Sequence, residues 1–327
     1  MEKHLIARFD PYAREPIVRK MKDGTLVCLF LTGGENEPHN DNVVKISRSR
    51  DDGATWSTPE VLFSHRDRGC WSTELFTDTD KPFTVVHTYN APCHYRELQT
   101  YVSFCDESGD NWSQPVTMKG SVNGCSIRQG FKMSNGEIFF PLYWQEARDF
   151  FQWEDKPWHW DVFSWALISG CGISKDGEHF FRSGYVSTDA PLWEPNAVEL
   201  ENGHIVMYMR CSGKGCLYSA HSYDYGRTWT EPAPTDIPNP DSKVTLLKVN
   251  GKIVLINNFN SSERTDLQIA TSQDGVSFTP VASVEPPEQS WFYPHAFADL
   301  ATQTLYLAYE NRVEHYLKKY TFAELGL

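Results

Sequence analysis

The chain has 327 residues and a formal net charge of −13, with 40% hydrophobic and 14% aromatic residues. That is ample apolar material for a folded core, and the acidic balance argues against nucleic acid or an anionic membrane surface as a partner. No apolar run reaches the length of a membrane span and Met1–Arg8 carries no signal-type apolar core, so membrane insertion is not expected and the expected location is cytoplasmic.

Taken in order, the chain is punctuated by turn residues that each open a β-rich run. Asp23-Gly24 precedes Thr25 to Leu31, Lys81-Pro82 precedes Phe83 to Tyr89, and Asn135-Gly136 precedes Glu137 to Trp144. Asn202-Gly203 then opens His204 to Arg210, Asn250-Gly251 opens Lys252 to Asn258, and Gln303 stands before Thr304 to Glu310. These are six hairpin entries. After each of the first five, a second strand such as Val43 to Arg48 or Leu217 to His221 runs into a repeated turn.

The repeated turn has two close copies, Ser49 to Trp56 and Ser222 to Trp229, both reading Ser-x-Asp-x-Gly-x-x-Trp. Degraded copies run from Cys105 to Trp112 (with Glu107 in the Asp position), from Ile173 to Phe180 and from Thr271 to Phe278. A short polar side chain can bond the backbone two residues on, Gly supplies a positive φ, and the aromatic ring anchors the turn on the sheet behind it. Copies spaced by roughly 50 to 70 residues have the period of propeller blades. The sixth entry has no such turn after it, as expected if His315 to Phe322 is completed by the N-terminal run His4 to Phe9. The expected fold is all-β, a six-bladed β-propeller forming a single domain over residues 1–327, whose radial repetition hides sheet edges. The longest interval holds an aromatic-rich insert at about 146–164, including Phe150, Trp153, Trp158 and Trp160. A loop of this length is expected to cover a pocket or make a subunit contact.

With these turns in place the chain resembles the sialidase (neuraminidase) superfamily, in which such repeats are known as Asp boxes and serve as structural staples. The resemblance covers nearly the whole chain. Ala13-Arg14-Glu15-Pro16 stands at the place of an Arg-Ile-Pro motif, with Glu15 replacing Ile. Trp193-Glu194-Pro195, followed by a strand pair ending in Arg210, resembles the family's Glu-and-Arg block. Arg264-Thr265-Asp266-Leu267 matches the third arginine, and Tyr293-Pro294 with Tyr309-Glu310 matches the catalytic tyrosine hairpin, with one extra residue between them. The resemblance implies Tyr293 as nucleophile, Glu194 as its base, and Arg14, Arg210 and Arg264 as a clamp for a substrate carboxylate. It implies Glu310 as the supporting partner of Arg14. Counting back from Ser49 puts Glu37 nearest the family's acid position, with Asp41 four residues on as the other candidate. Arg128 and Gln129 are candidates to line the pocket from the third blade. Taken alone, a strand-end Arg is usually a surface charge and a Tyr usually core.

These residue types suit an anionic sugar. Arg presents a planar fork that pairs with carboxylate bidentately, and a neutral phenol approaches an anionic substrate without the repulsion a carboxylate nucleophile would meet. Sialidases with a Tyr nucleophile stand outside the usual two-carboxylate scheme. The implied activity is that of a retaining exo-α-glycosidase acting on a sialylated or related acidic glycan. Two other readings stay open: a carbohydrate-binding propeller without catalysis, and a glycosidase or lyase for another acidic or deoxy sugar. Eight cysteines are scattered singly with no CxxC pair, no His/Cys metal spacing appears, and no nucleotide loop is present. Free thiols, no metal and no cofactor are therefore expected.

Overall fold

The computed structural model describes residues 2–92, 97–147, 165–188 and 190–327. Most of the aromatic-rich insert, residues 148–164, and Cys93 fall outside the described residues. The strands assort into six sheets, one per expected blade. The innermost strands of successive blades are Ala13–Lys20, Gly69–Phe76, the split pair Ser126–Ile127 and Phe131–Lys132, Leu192–Glu201, Thr245–Val249 and Phe292–Asp299. The last sheet is completed by Lys3–Arg8, which pairs antiparallel with Glu314–Thr321. The circle is thus closed by both chain ends, as the missing sixth turn repeat implied. A single turn of helix, Phe322–Leu325, caps the C-terminus through a reciprocal Thr321–Glu324 box.

The turn repeats act as inter-blade staples. In the first, Asp51 accepts from the Thr55 amide and hydroxyl, Ser49 donates to Asp51, and the Trp56 indole donates to the Gly53 carbonyl. Gly53 has φ 89°, and a Cβ there would lie 2.4 Å from Leu317 of the last blade, so glycine is needed both for the turn and for the close approach. Three of the other four copies lean on the preceding blade in the same way, Gly109 against Val27, Gly226 against Phe139 and Gly275 against Leu200, whereas Gly177 meets only Ile138 of its own sheet. In the second copy the structure corrects the sequence alignment. Asp106, not Glu107, accepts from Ser108, the Asp110 amide and Asn111, while Glu107 is exposed. The turn carries an extra residue between its carboxylate and Gly109, so counting back from Trp112 lands one position late.

Around the axis, neighbouring blades exchange polar bonds. Thr245 donates to the Pro294 carbonyl (2.6 Å), the Leu246 amide to Asn196 (3.1 Å) and the Val18 amide to His295 (3.2 Å). Buried backbone groups that the blade ladders leave open thereby find partners. The described cysteines are free thiols, five of them buried.

Candidate active site

Three inner strands begin with the same irregularity. Glu15, Glu194 and Tyr293 have φ of 50°, 43° and 47°, and each precedes a proline, Pro16, Pro195 and Pro294. At each place the register with the neighbouring strand breaks, between Arg14 and Ile17, Trp193 and Asn196, and Phe292 and His295. Positive φ in a non-glycine residue costs of order 1–3 kcal/mol, and bulges of this kind re-aim side chains. Here they turn three functional groups from blades one, four and six toward the axis, at the end where the inner strands start.

The three arginines gather at that end. Arg14 lies with its guanidinium carbon 4.9 Å from the Tyr293 ring centre. Arg210 donates to the Asp241 carbonyl (3.0 Å), and Arg264 donates to the same oxygen (2.7 Å). Among the described residues, both terminal nitrogens of Arg14, Nη2 of Arg210 and Nη1 of Arg264 keep donors with no protein acceptor. Burial holds the Arg264 pKa below its ordinary value; Tyr293 opposes this, while Arg210 and Arg14 add to it. Such mutual repulsion is what an anionic ligand would relieve. Glu310, fully buried, sits 4.0 Å from Arg14 Nε, too far for a hydrogen bond, and accepts from the Arg312 amide. Burial pushes its carboxyl up to about 7 against the pull of Arg14.

Glu194 is 3% exposed and takes a 2.9 Å bond from Arg128 on Oε1. Its Oε2 lies 3.1 Å from Arg210 Nε without hydrogen-bond alignment, so that oxygen has a free acceptor site. Burial raises the Glu194 pKa, but Arg210, Arg128, Lys243 and Arg264 together outweigh it and hold the group below the usual value. The Tyr293 phenol is pushed up, by burial first and by Glu194 second, with Arg14 and Arg210 pulling back. It is therefore neutral at rest and needs a proton acceptor before it can attack anything.

The two acid candidates separate. Glu37 is half-buried at the lip, and its carboxyl is pushed up to about 7 by burial and then by Glu15, against Arg14. Asp41 is 80% exposed and pairs with His39 at 3.7 Å, away from the cluster. The loop between them is pinned by Asn42, which accepts from the Gly34 amide and donates to the Asn36 carbonyl and the Tyr89 hydroxyl. Of the blade-three candidates, Arg128 joins the cluster at 1% exposure. Gln129 instead donates to the Ala296 carbonyl and lines a cavity of about 1000 Å³ at the opposite end of the axis.

Several residues of the site carried no sequence signal of their own. Asp241, with φ 58°, bridges two arginines through its carbonyl and stands 3.4 Å from Arg210 through its carboxylate. Lys243 is 4% exposed with its ammonium 5.9 Å from the Tyr293 ring centre. Neither lies in a repeat, and only their place at the entry to an inner strand could have suggested them.

Residues 24–304 match the family model described as BNR repeat-like domain. The chain is 23% identical to a curated sialidase of Bacteroides fragilis (strain YCH46), over 83% of this chain and 54% of that protein, so it spans about half the relative's length. Among solved structures, the Hadza microbial sialidase Hz136 superposes with a TM-score of 0.77 at 18% identity, covering 96% of this chain and 66% of that one. A protein of unknown function from Dyadobacter fermentans DSM 18053 superposes with a TM-score of 0.73 at 17% identity, covering 97% and 98%. The chain belongs to the BNR repeat-like family and is built as the six-bladed propeller of the sialidases.

Proposed function

We propose that the protein is a retaining exo-α-glycosidase that releases a terminal sialic acid or a related nonulosonic acid from a glycan. The observation that carries this reading is the meeting of three arginines, with unpaired donors, around a buried neutral phenol whose strongest anionic neighbour is Glu194. The arginines bind the carboxylate on the anomeric carbon and fix the sugar in place. Tyr293 Oη then attacks that carbon while its proton passes to the free oxygen of Glu194. Glu37, protonated, gives its proton to the departing glycosidic oxygen. In the second half, water attacks the tyrosyl-linked carbon and gives its proton to Glu37, and Tyr293 leaves with the proton held on Glu194.

A panel of aryl and natural α-ketosides, with the released anomer followed by NMR, tests the proposal. First release of the α anomer is the expected result. First release of the inverted anomer would refute the mechanism, and sugar binding without turnover of any ketoside would favour the carbohydrate-binding alternative.

A further inference from the structure

The bulge that aims Glu194 and Tyr293 at the axis also aims Glu15, which is 2% exposed and part of neither the arginine clamp nor the proton path described above. Glu15 accepts from the Trp71 indole at 2.9 Å and from Arg128 Nη1 at 3.1 and 3.0 Å on its two oxygens. Arg128 spends its other terminal nitrogen on Glu194 (2.9 Å) and on the Tyr143 hydroxyl (3.0 Å). One guanidinium thus lies between two buried carboxylates that come from blades one and four, in contact with both. Its fork geometry fixes where each carboxylate points.

We propose that Glu15 and Arg128 are a positioning pair that orients Glu194 and, by sharing the Arg128 charge between two carboxylates, keeps Glu194 basic enough to accept the Tyr293 proton. The assignment of roles to Glu194 and Tyr293 rests on the proposed function; the charge sharing does not. The argument is electrostatic. Glu194 faces Arg128 from blade three, Arg210 from its own blade, Lys243 and Arg264 from blade five, Tyr293 from blade six, and Glu15 and Glu37 from blade one. Four cations around one carboxylate depress its basicity. A second anion on Arg128 offsets one of them. The same anion lies near Glu37, where after burial it is the largest influence holding that carboxyl protonated. Glu15 therefore acts in one direction on both proton-transfer groups: it raises the pKa of the base and of the acid together.

The test replaces Glu15 by Gln, which keeps the shape and an acceptor for Trp71, and reads the charge state directly. Carboxyl carbons labelled with ¹³C in glutamate are followed by NMR against pH, with Glu194→Gln and Glu37→Gln assigning the two signals. In Glu15→Gln both titrations are expected to move to lower pH by about one unit, and both limbs of the kcat/KM profile to move with them. The fall is expected in kcat rather than in KM. Arg128→Lys keeps a charge but loses the fork; it is expected to lose kcat, and adding Glu15→Gln to it should bring little further loss. Unmoved titrations of Glu194 and Glu37 in folded Glu15→Gln would overturn the proposal. If no ketoside is turned over by the unaltered protein while the titrations shift as stated, the charge sharing stands and the glycosidase reading falls.

Discussion

Replacing Glu37 by Gln tests the proposed acid step apart from the rest of the proposed reaction. The Glu37 carboxyl is pushed up to about 7, by burial and by Glu15 against the pull of Arg14. Roughly half of it is therefore protonated at neutrality and only about a tenth a unit above that. Activity on natural glycans should fall above about pH 7 with this group. A sugar alkoxide cannot leave without a proton, so Glu37→Gln should cost about 10²–10⁴ in kcat/KM on natural glycans, roughly 3–5 kcal/mol of barrier. An activated phenolate leaves nearly unaided, so the same variant should lose less than about tenfold in kcat/KM on aryl ketosides, a parameter that excludes the second half in which Glu37 takes the water proton. On those substrates its profile should also lack the descending limb near 7. Asp41→Asn is the control. That side chain is 80% exposed and directed at His39, so the variant should stay within about twofold on both substrate types. Rates measured from pH 5 to 9 on a sialyl-oligosaccharide and an aryl ketoside decide the matter. Equal losses in kcat/KM on both substrates in Glu37→Gln, or leaving-group dependence in Asp41→Asn, would defeat the assignment.

Arg210→Lys should raise KM for a carboxylate-bearing substrate by about 10- to 150-fold, the equivalent of a lost charge-assisted bond of about 1.5–3 kcal/mol, with an unchanged melting profile. Steady-state kinetics beside thermal melting reads both. Tyr293→Phe should abolish turnover of natural substrates while retaining fold and ligand binding, and a 3-fluoro sialosyl fluoride should label Tyr293 in the unaltered protein; peptide mapping of the label elsewhere contradicts the mechanism. Trp229 is only partly buried where its ring meets Phe139 of the preceding blade. Trp229→Ala should therefore cost about 2–3 kcal/mol, below the usual range for a fully buried ring, measurable by denaturant titration and without effect on KM. Stability should begin to fall below about pH 6.5, through the buried histidines, and fall most steeply near about pH 4 to 3, where the aspartates of the turns add to them. The Thr55 hydroxyl and amide hold Asp51 at about 2; at Asp106, burial is outweighed by Asn111 and Ser108, again to about 2. Burial lowers His87 and His315 to about 3. All four bind protons more readily when unfolded, so the stability present above the unfolded pKa drains away between 6.5 and about 3 for the histidines and between 3.8 and about 2 for the aspartates. Asp51→Asn should make that transition shallower, and an unchanged slope would count against the staple's role.

The blades were legible because their signals are local. Asn202, Asn250 and Gln303 take φ of 45°, 48° and 51° at the hairpins, where Asn-Gly or a lone polar residue marks the turn in the sequence. Strands Phe83–Tyr89, Lys252–Asn258 and Thr304–Glu310 begin and end where the turn residues put them. The gathering of the candidate residues was legible only where a motif binds them together, as around Arg14, Glu194 and Tyr293. Arg128 and Glu15 are 113 positions apart and touch because both side chains reach the axis, around which blades one and three are separated by blade two alone. No periodicity in the chain encodes that distance. Gln129 shows the cost of extending a motif by adjacency: successive residues in an extended chain point opposite ways, and it serves the other end of the axis.

Two of the departures from the sialidase pattern, Glu15 in place of Ile and Glu37 near the place of the family's acidic Asp, fall on groups that influence each other directly. A carboxylic acid on a loop at the rim would ordinarily be ionised at neutrality and useless as a proton donor. Raising it takes burial, a neighbouring anion, or both. Glu37 is half-buried on a loop that Asn42 pins through the Asn36 carbonyl and the Tyr89 hydroxyl, and burial is the largest influence on its carboxyl. Glu15 provides the anion, and Arg128 and Trp71 give that anion the hydrogen bonds it needs to sit at 2% exposure. An unpaired carboxylate there would be prohibitively costly, so Glu15 requires Arg128. Arg128 in turn would lower the basicity of Glu194 if Glu15 did not share it. Glu15, Arg128 and Glu194 are thereby joined in a single hydrogen-bonded electrostatic unit spanning blades one, three and four.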